Sequence, residues 1–73
     1  MPAVNGFNAN MARIVYGVKE GDRIRITKLD DPYDSSYVGR EGVVKHIDSM
    51  GQLHGTWGGL AVIPGEDDFI VLK

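Results

Sequence analysis

The run Gly21-Asp22-Arg23-Ile24-Arg25-Ile26-Thr27-Lys28 decides the fold. Ile24 and Ile26 point one way, and Arg23, Arg25 and Thr27 the other. A period of two with one apolar side is a strand that buries one face and wets the other. Working outward, Asp30 to Tyr37 reads as a long polar loop, with Asp31-Pro32 as its turn signal. Glu41 to Asp48 reads as the second strand. Its apolar residues Val43, Val44 and Ile47 do not alternate cleanly, so a twist or bulge is needed to bring Val44 and Ile47 into one core.

Asp48-Ser49-Met50-Gly51 then forms a tight hairpin, with Gly51 supplying a positive φ. Gln52 to Trp57 returns as a third strand carrying Leu53, Gly55 and Trp57 on one face. Gly58-Gly59 reads as a two-residue hairpin turn, Leu60 to Ile63 as the fourth strand, and Phe69 to Leu72 as the fifth. Five short strands with glycine at most corners predict a mainly β domain, a small barrel or sandwich. Barrel closure would remove the exposed sheet edges.

The chain has 73 residues, enough for one domain, and no cysteine, which rules out a disulfide framework and a thiolate zinc site. Hydrophobic residues at 42% and charged residues at 25% are ordinary for a globular domain, while ten glycines are many and suit tight turns. A formal net charge of −2 argues against a dedicated nucleic-acid binder. No segment approaches the roughly 18 apolar residues of a membrane span, and the N-terminus lacks a signal-peptide pattern. The cytoplasm is the expected compartment, with no membrane partner.

Residues 1–11 read as a flexible tail, with Phe7 available to dock on a single domain spanning 12–73. Residues 12–19 fit two patterns. Phe7, Met11, Ile14 and Val18 make a helical stripe, whereas Ala12, Ile14, Tyr16 and Val18 alternate as in a strand. A short helical turn is favoured, broken near residue 20.

GDRIRI at 21–26 followed by GREGVVKHID at 39–48 is similar to the glycine-spaced hairpin of KOW-type and other SH3-like barrels, matched here by Gly39, Gly42, Val44, Ile47 and Asp48. GQLHGTWGGLAVIPGEDDFIVL at 51–72 resembles more specifically an uncharacterised family of short bacterial domains found on plasmids, conjugative elements and phages. The resemblance spans about 18–72. It implies a five-stranded SH3-like barrel and a mobile-element setting, and carries no activity with it. Gly55 departs from the pattern, standing where a β-branched residue is usual, and the turn after Trp57 is short.

Candidate chemistry is sparse. His46 and His54 are the obvious bases, and Ser35, Ser36 and Ser49 lie in loops without a nucleophile signature. The two histidines face each other only if the strand register sums to 100. Without a third ligand they make a poor zinc site, so no metal and no cofactor are expected. Asp30, Asp31 and Asp34 lack calcium-loop spacing, and Glu66, Asp67 and Asp68 read as a solvated, capping turn.

Two binding surfaces remain. Tyr33 and Tyr37, with Asp31 and Asp34, place aromatic and acidic groups in a loop too long for a mere hairpin. Trp57 reads as core, because it follows Leu53 and Gly55 on one strand face. Arg23, Arg25, Arg40 and Lys45 form a possible basic strand face, although residues 13–45 carry seven basic against six acidic side chains. The expected function is a non-catalytic module that binds another protein, or another copy of itself, through the 29–39 loop. A KOW-like nucleic-acid contact is the alternative.

Overall fold

Ile24 and Ile26 are fully buried, and Arg23, Arg25 and Thr27 are exposed, as the alternation requires. The computed structural model describes residues 8–72. It contains a helix α1 (Ala9–Tyr16), strands β1 (Arg23–Lys28), β2 (Glu41–Ile47), β3 (Leu53–Gly55), β4 (Gly58–Val62) and β5 (Asp68–Leu72), and a 3-10 helix (Pro32–Tyr37) between β1 and β2. All strand pairs are antiparallel, in the order β4-β3-β2-β1-β5. The chain is thus mainly β with five strands, as expected.

Strand β1 is an interior strand, with both its edges taken. Ile24 sits opposite Gly42 on one side and Val71 on the other. The required irregularity in β2 is present, since the β2–β3 register shifts between Val44 and His46. A bulge there turns the face of the strand, so Val44 and Ile47 are both buried despite their odd spacing. They join Ala12, Val18, Ile24, Ile26, Leu53, Trp57 and Val62 in one core.

The sheet does not close into a barrel. Strands β4 and β5 end it without pairing, which corrects the expectation of closure. The residues between them explain why. Pro64 has no N–H to give to a ladder, and Ile63 donates its N–H at 2.9 Å to the Asp67 side chain instead of to a strand.

The β3–β4 turn also differs from expectation. Thr56 and Trp57 form it, while Gly58 and Gly59 already belong to β4. Gly55 pairs with Gly58 across this turn, and Gly58 has φ 135°. The Trp57 ring folds back over Gly55. A Cβ at Gly55 would collide with Trp57 Cζ3 and the Val43 carbonyl oxygen, and would lie 2.7 Å from Trp57 Cη2. That is why a β-branched residue is excluded at this strand position.

Helix α1 begins at Ala9, so residues 9–11 belong to it and not to a tail; the expected docking of Phe7 lies outside the described residues. Asn8 caps the helix by accepting from Met11 N at 3.0 Å, and Gly17 ends it with φ 67°. The buried face is not the predicted stripe. Ala12 is buried, with Ala9 packed beside it, whereas Ile14 is 69% exposed. Small side chains allow the helix to lie close to the core, and Val18 enters the core only after the Gly17 break.

The helix is tied to the sheet by Glu20. Its carboxylate accepts from Arg13 Nη2 at 3.0 and 3.3 Å, and from Ile47 N at 3.4 Å. The Arg13 guanidinium holds the Glu20 carboxyl below its ordinary value of 4.5. In the β2–β3 hairpin, Asp48 accepts from Met50 N and Gln52 N and meets His54 Nε2 at 2.9 Å. The His54 contact, then the Gln52 N–H, holds Asp48 below its ordinary 3.8.

Two outcomes are expected. Gly55→Ala should destabilise the chain by about 2–3 kcal/mol through overpacking, read as a lower urea midpoint. For the two carboxylates, a folded-state pKa below the unfolded one gives stability that is present above the unfolded value and lost as pH falls through the folded value. The urea midpoint should therefore decline on acidification below the ordinary values of 4.5 and 3.8. The double variant Glu20→Gln/Asp48→Asn should show a flatter acid limb; an unchanged limb would refute the assignment.

Candidate functional site

The segment after β1 is built by its own side chains. Asp31 caps the 3-10 helix, its Oδ1 accepting from Tyr33 N at 2.9 Å, and Pro32 occupies the first helical position with its φ already set. Asp34 N donates to Asp31 O at 3.1 Å, and Val38 N to Ser35 O at 3.1 Å. What the sequence suggested as a polar loop is thus an ordered turn.

On this turn Tyr33 and Tyr37 have different fates. With three residues per turn, positions four apart point about 120° away from each other. Tyr33 is 93% exposed, while Tyr37 packs against the core. The Arg40 guanidinium lies 4.3 Å from the Tyr37 ring centre, and Arg40 Nη1 donates to Trp57 O at 2.9 Å. This stack anchors the C-terminal end of the 3-10 helix to the β3–β4 turn.

Beside the turn lies a cavity of about 160 Å³. Its apolar lining is Leu29, Leu60, Ala61 and Ile63, and among the described residues its polar lining is acidic: Asp30, Asp31, Asp34, Glu66 and Asp67. Asp31 and Asp34, both singled out in the sequence, are brought together here. Leu29, Leu60 and Ile63 provide a floor on which an aliphatic stem can rest, and the carboxylates provide a rim that favours a cation.

Asp67 does different work from its neighbours in the Glu66-Asp67-Asp68 run. It is 7% exposed, and its two oxygens accept from Asp30 N and Ile63 N, each at 2.9 Å. One carboxylate thereby ties the chain leaving β1, the chain leaving β4 and the chain entering β5. The expectation that this whole run is solvated is corrected at Asp67.

The four basic residues do not act as one group. Arg23 lies opposite Val43 and Leu72, and Arg25 opposite Glu41 and Ile70, on the open face of the sheet. Arg25 is held by Glu41 at 2.7 and 3.0 Å. Lys45 follows Glu41 and Val43 by alternation on β2 and is exposed. Arg40 stands apart, committed to Tyr37 and Trp57.

The histidine register sums to 100. His46 and His54 are direct partners across β2 and β3, with ring centres 5.9 Å apart and planes tilted by 29°. Among the described residues no three His, Cys, Asp or Glu side chains converge as a metal centre.

A family model for a domain of unknown function, DUF4314, matches residues 8–72. The chain belongs to the DUF4314 family. The match begins at Asn8, the residue that caps α1, so the helix is part of the DUF4314 unit, about ten residues beyond the stretch that carries the sequence resemblance. No curated protein and no solved structure matches the chain. No described helix is long and apolar enough to cross a membrane.

Loss of the Asp67 carboxylate should be costly. Asp67→Ala leaves two part-buried N–H groups without their side-chain partner and should destabilise by about 1–3 kcal/mol in chemical denaturation. Asp67→Asn should not rescue fully, because one of the two N–H groups would then face the amide nitrogen, a donor against a donor.

Proposed function

We propose that this DUF4314 domain is a non-catalytic binding module that engages a partner protein through the 29–39 segment. The carrying observation is Tyr33, 93% exposed on a fixed 3-10 turn whose Asp31 and Asp34 line an apolar-floored, acid-rimmed cavity. A large aromatic ring held in water by an ordered backbone contributes contact area on binding at little entropic cost. The cavity selects for the partner's chemistry: a lysine or arginine side chain, its stem on Leu29 and Leu60 and its charge among the carboxylates. The partner is thus a protein that presents a basic residue, another copy of this chain included.

The curled antiparallel sheet supports an SH3-like reading of the fold, in which loops beside the sheet take extended peptides. The resemblance at 51–69 supports a bacterial mobile element and the cytoplasm as the setting. A second reading, nucleic-acid contact, is favoured by one observation. Arg23 and Lys45 share the open sheet face and have no ion-pair partner among the described residues. It ranks second because Glu41 neutralises Arg25 and Arg40 is committed elsewhere.

The test uses a partner captured on the wild-type chain, then purified and titrated. Tyr33→Ser and Asp34→Asn should leave the melting temperature within a few degrees, since neither side chain is buried. Each should weaken the partner about tenfold or more, and added salt should weaken the wild-type complex. Undiminished affinity in both variants would defeat this reading. Salt-steep binding of a single-stranded oligonucleotide, lost on Arg23→Ala and Lys45→Ala, would establish the second one instead.

A further inference from the structure

The β2–β3 hairpin carries a feature that the cavity does not use. His46 and His54 sit directly opposite one another, and residues so placed hold their Cβ atoms about 4.5–5.5 Å apart on one face. The bulge between Val44 and His46 helps to set this pairing. Both rings are reachable from solvent, the His54 side chain being 43% exposed. We propose that His46 and His54 together form a surface site for an exchangeable divalent transition-metal ion of the nickel, copper and zinc class.

The spacing fits. A metal–imidazole bond of about 2.0–2.1 Å, with the ring centre about 1.1 Å beyond the nitrogen, puts two rings sharing an ion roughly 4.5–5.2 Å apart for bond angles between square-planar and tetrahedral. The observed separation is 5.9 Å, so side-chain rotation and an approach of an ångström or so bring both nitrogens to one ion. His46, exposed and without a hydrogen bond to any described residue, makes most of that adjustment, while Asp48 holds the His54 ring.

Asp48 prepares one of the two ligands. A carboxylate only accepts, so at the 2.9 Å contact His54 Nε2 carries the proton, and in the neutral ring Nδ1 then holds the lone pair. This is the carboxylate–histidine pairing that orients metal-bound imidazoles. The carboxylate is itself fixed, because its other oxygen accepts from Met50 N and Gln52 N. His46 makes no hydrogen bond or ion pair with any described residue, and its ring nitrogens are uncommitted.

The donor set also defines the type of site. With two protein nitrogens and no third side chain converging among the described residues, the remaining positions fall to water. That is an open, exchangeable site and not a closed structural zinc centre. Imidazole donors suit zinc, copper and nickel, and discriminate against magnesium and calcium. The ligands must be unprotonated, so binding weakens on acidification. An ion held by both rings would pin β2 to β3 beside the hairpin.

The experiment titrates Ni²⁺, then Zn²⁺, into the chain without an affinity tag, by calorimetry and by NMR of the histidine rings. One ion per chain is expected, with the melting temperature rising as ion is added. His46→Ala and His54→Ala should each lower affinity at least tenfold, and Mg²⁺ should not compete. In the wild-type chain alone, trace Cu²⁺ should broaden the His46 and His54 ring signals before any others. Equal affinity in wild type and His46→Ala, or broadening centred elsewhere, would overturn the proposal.

Discussion

Trp57 folded over Gly55 is the contact on which the rest of this molecule depends. The ring occupies the space that a Cβ at Gly55 would take, and it approaches Gly42 across the sheet, where an added Cβ would lie 3.1 Å from Trp57 Cε3. Trp57 Nε1 donates to Leu60 O at 2.7 Å, which fixes β4 relative to the turn. The Trp57 carbonyl accepts from Arg40, Arg40 stacks on Tyr37, and Tyr37 ends the 3-10 helix that presents Tyr33. One indole thus connects the core to the candidate binding surface. An aromatic residue in a turn ordinarily serves solvent-side packing; here two glycines on neighbouring strands convert it into core.

The open sheet poses a separate problem, since unpaired edges invite association with other chains. Asp67 addresses it locally. Its carboxylate holds the exits of β1 and β4 together beside the entry to β5, where ladder bonds between β4 and β5 would otherwise be needed. A single side chain making two charge-assisted bonds replaces a strand pairing at the place where the chain must diverge. The divergence creates the cavity: Leu60 and Ala61 of β4 face Leu29 and Asp30 across it, with Asp67 in the wall.

How much of this was readable in advance depends on range. The β1 alternation, the shared burial of Val44 and Ile47, and the burial of Trp57 follow from the local pattern, because period and side-chain size report burial directly. The β3–β4 turn was misplaced because Gly58-Gly59 is the stronger local turn signal. Trp57 occupies the turn only because Gly55 and Gly42 make room for its ring. Asp67 was indistinguishable from Glu66 and Asp68, since its partners Asp30 and Ile63 are a matter of tertiary structure. For the same reason Arg40 looked like Arg23. Of the expected loop site, Asp31, Asp34 and Tyr33 were legible as surface groups, while the separation of Tyr37 from Tyr33 required knowing that the loop is helical.

The small net charge conceals an uneven distribution, and this bears on what the domain can recognise. The cavity gathers five acidic residues with no basic residue among its described lining, whereas the open sheet face holds Arg23, Arg25 and Lys45, with Glu41 and Asp68 as its acidic neighbours. These surfaces share no residue. Within each, like charges lie inside a Debye length of about 8–10 Å and reinforce one another, although the chain as a whole carries only −2. A partner therefore meets a local field and not the net charge. Tyr33 adds contact area beside the acidic surface, and among the described residues no tyrosine, phenylalanine or tryptophan stands exposed among the cations. Stacking platforms are what cationic faces use to hold single strands. This asymmetry in where the aromatic group is spent, more than the sign of the charge, makes the acidic cavity the better-equipped of the two surfaces.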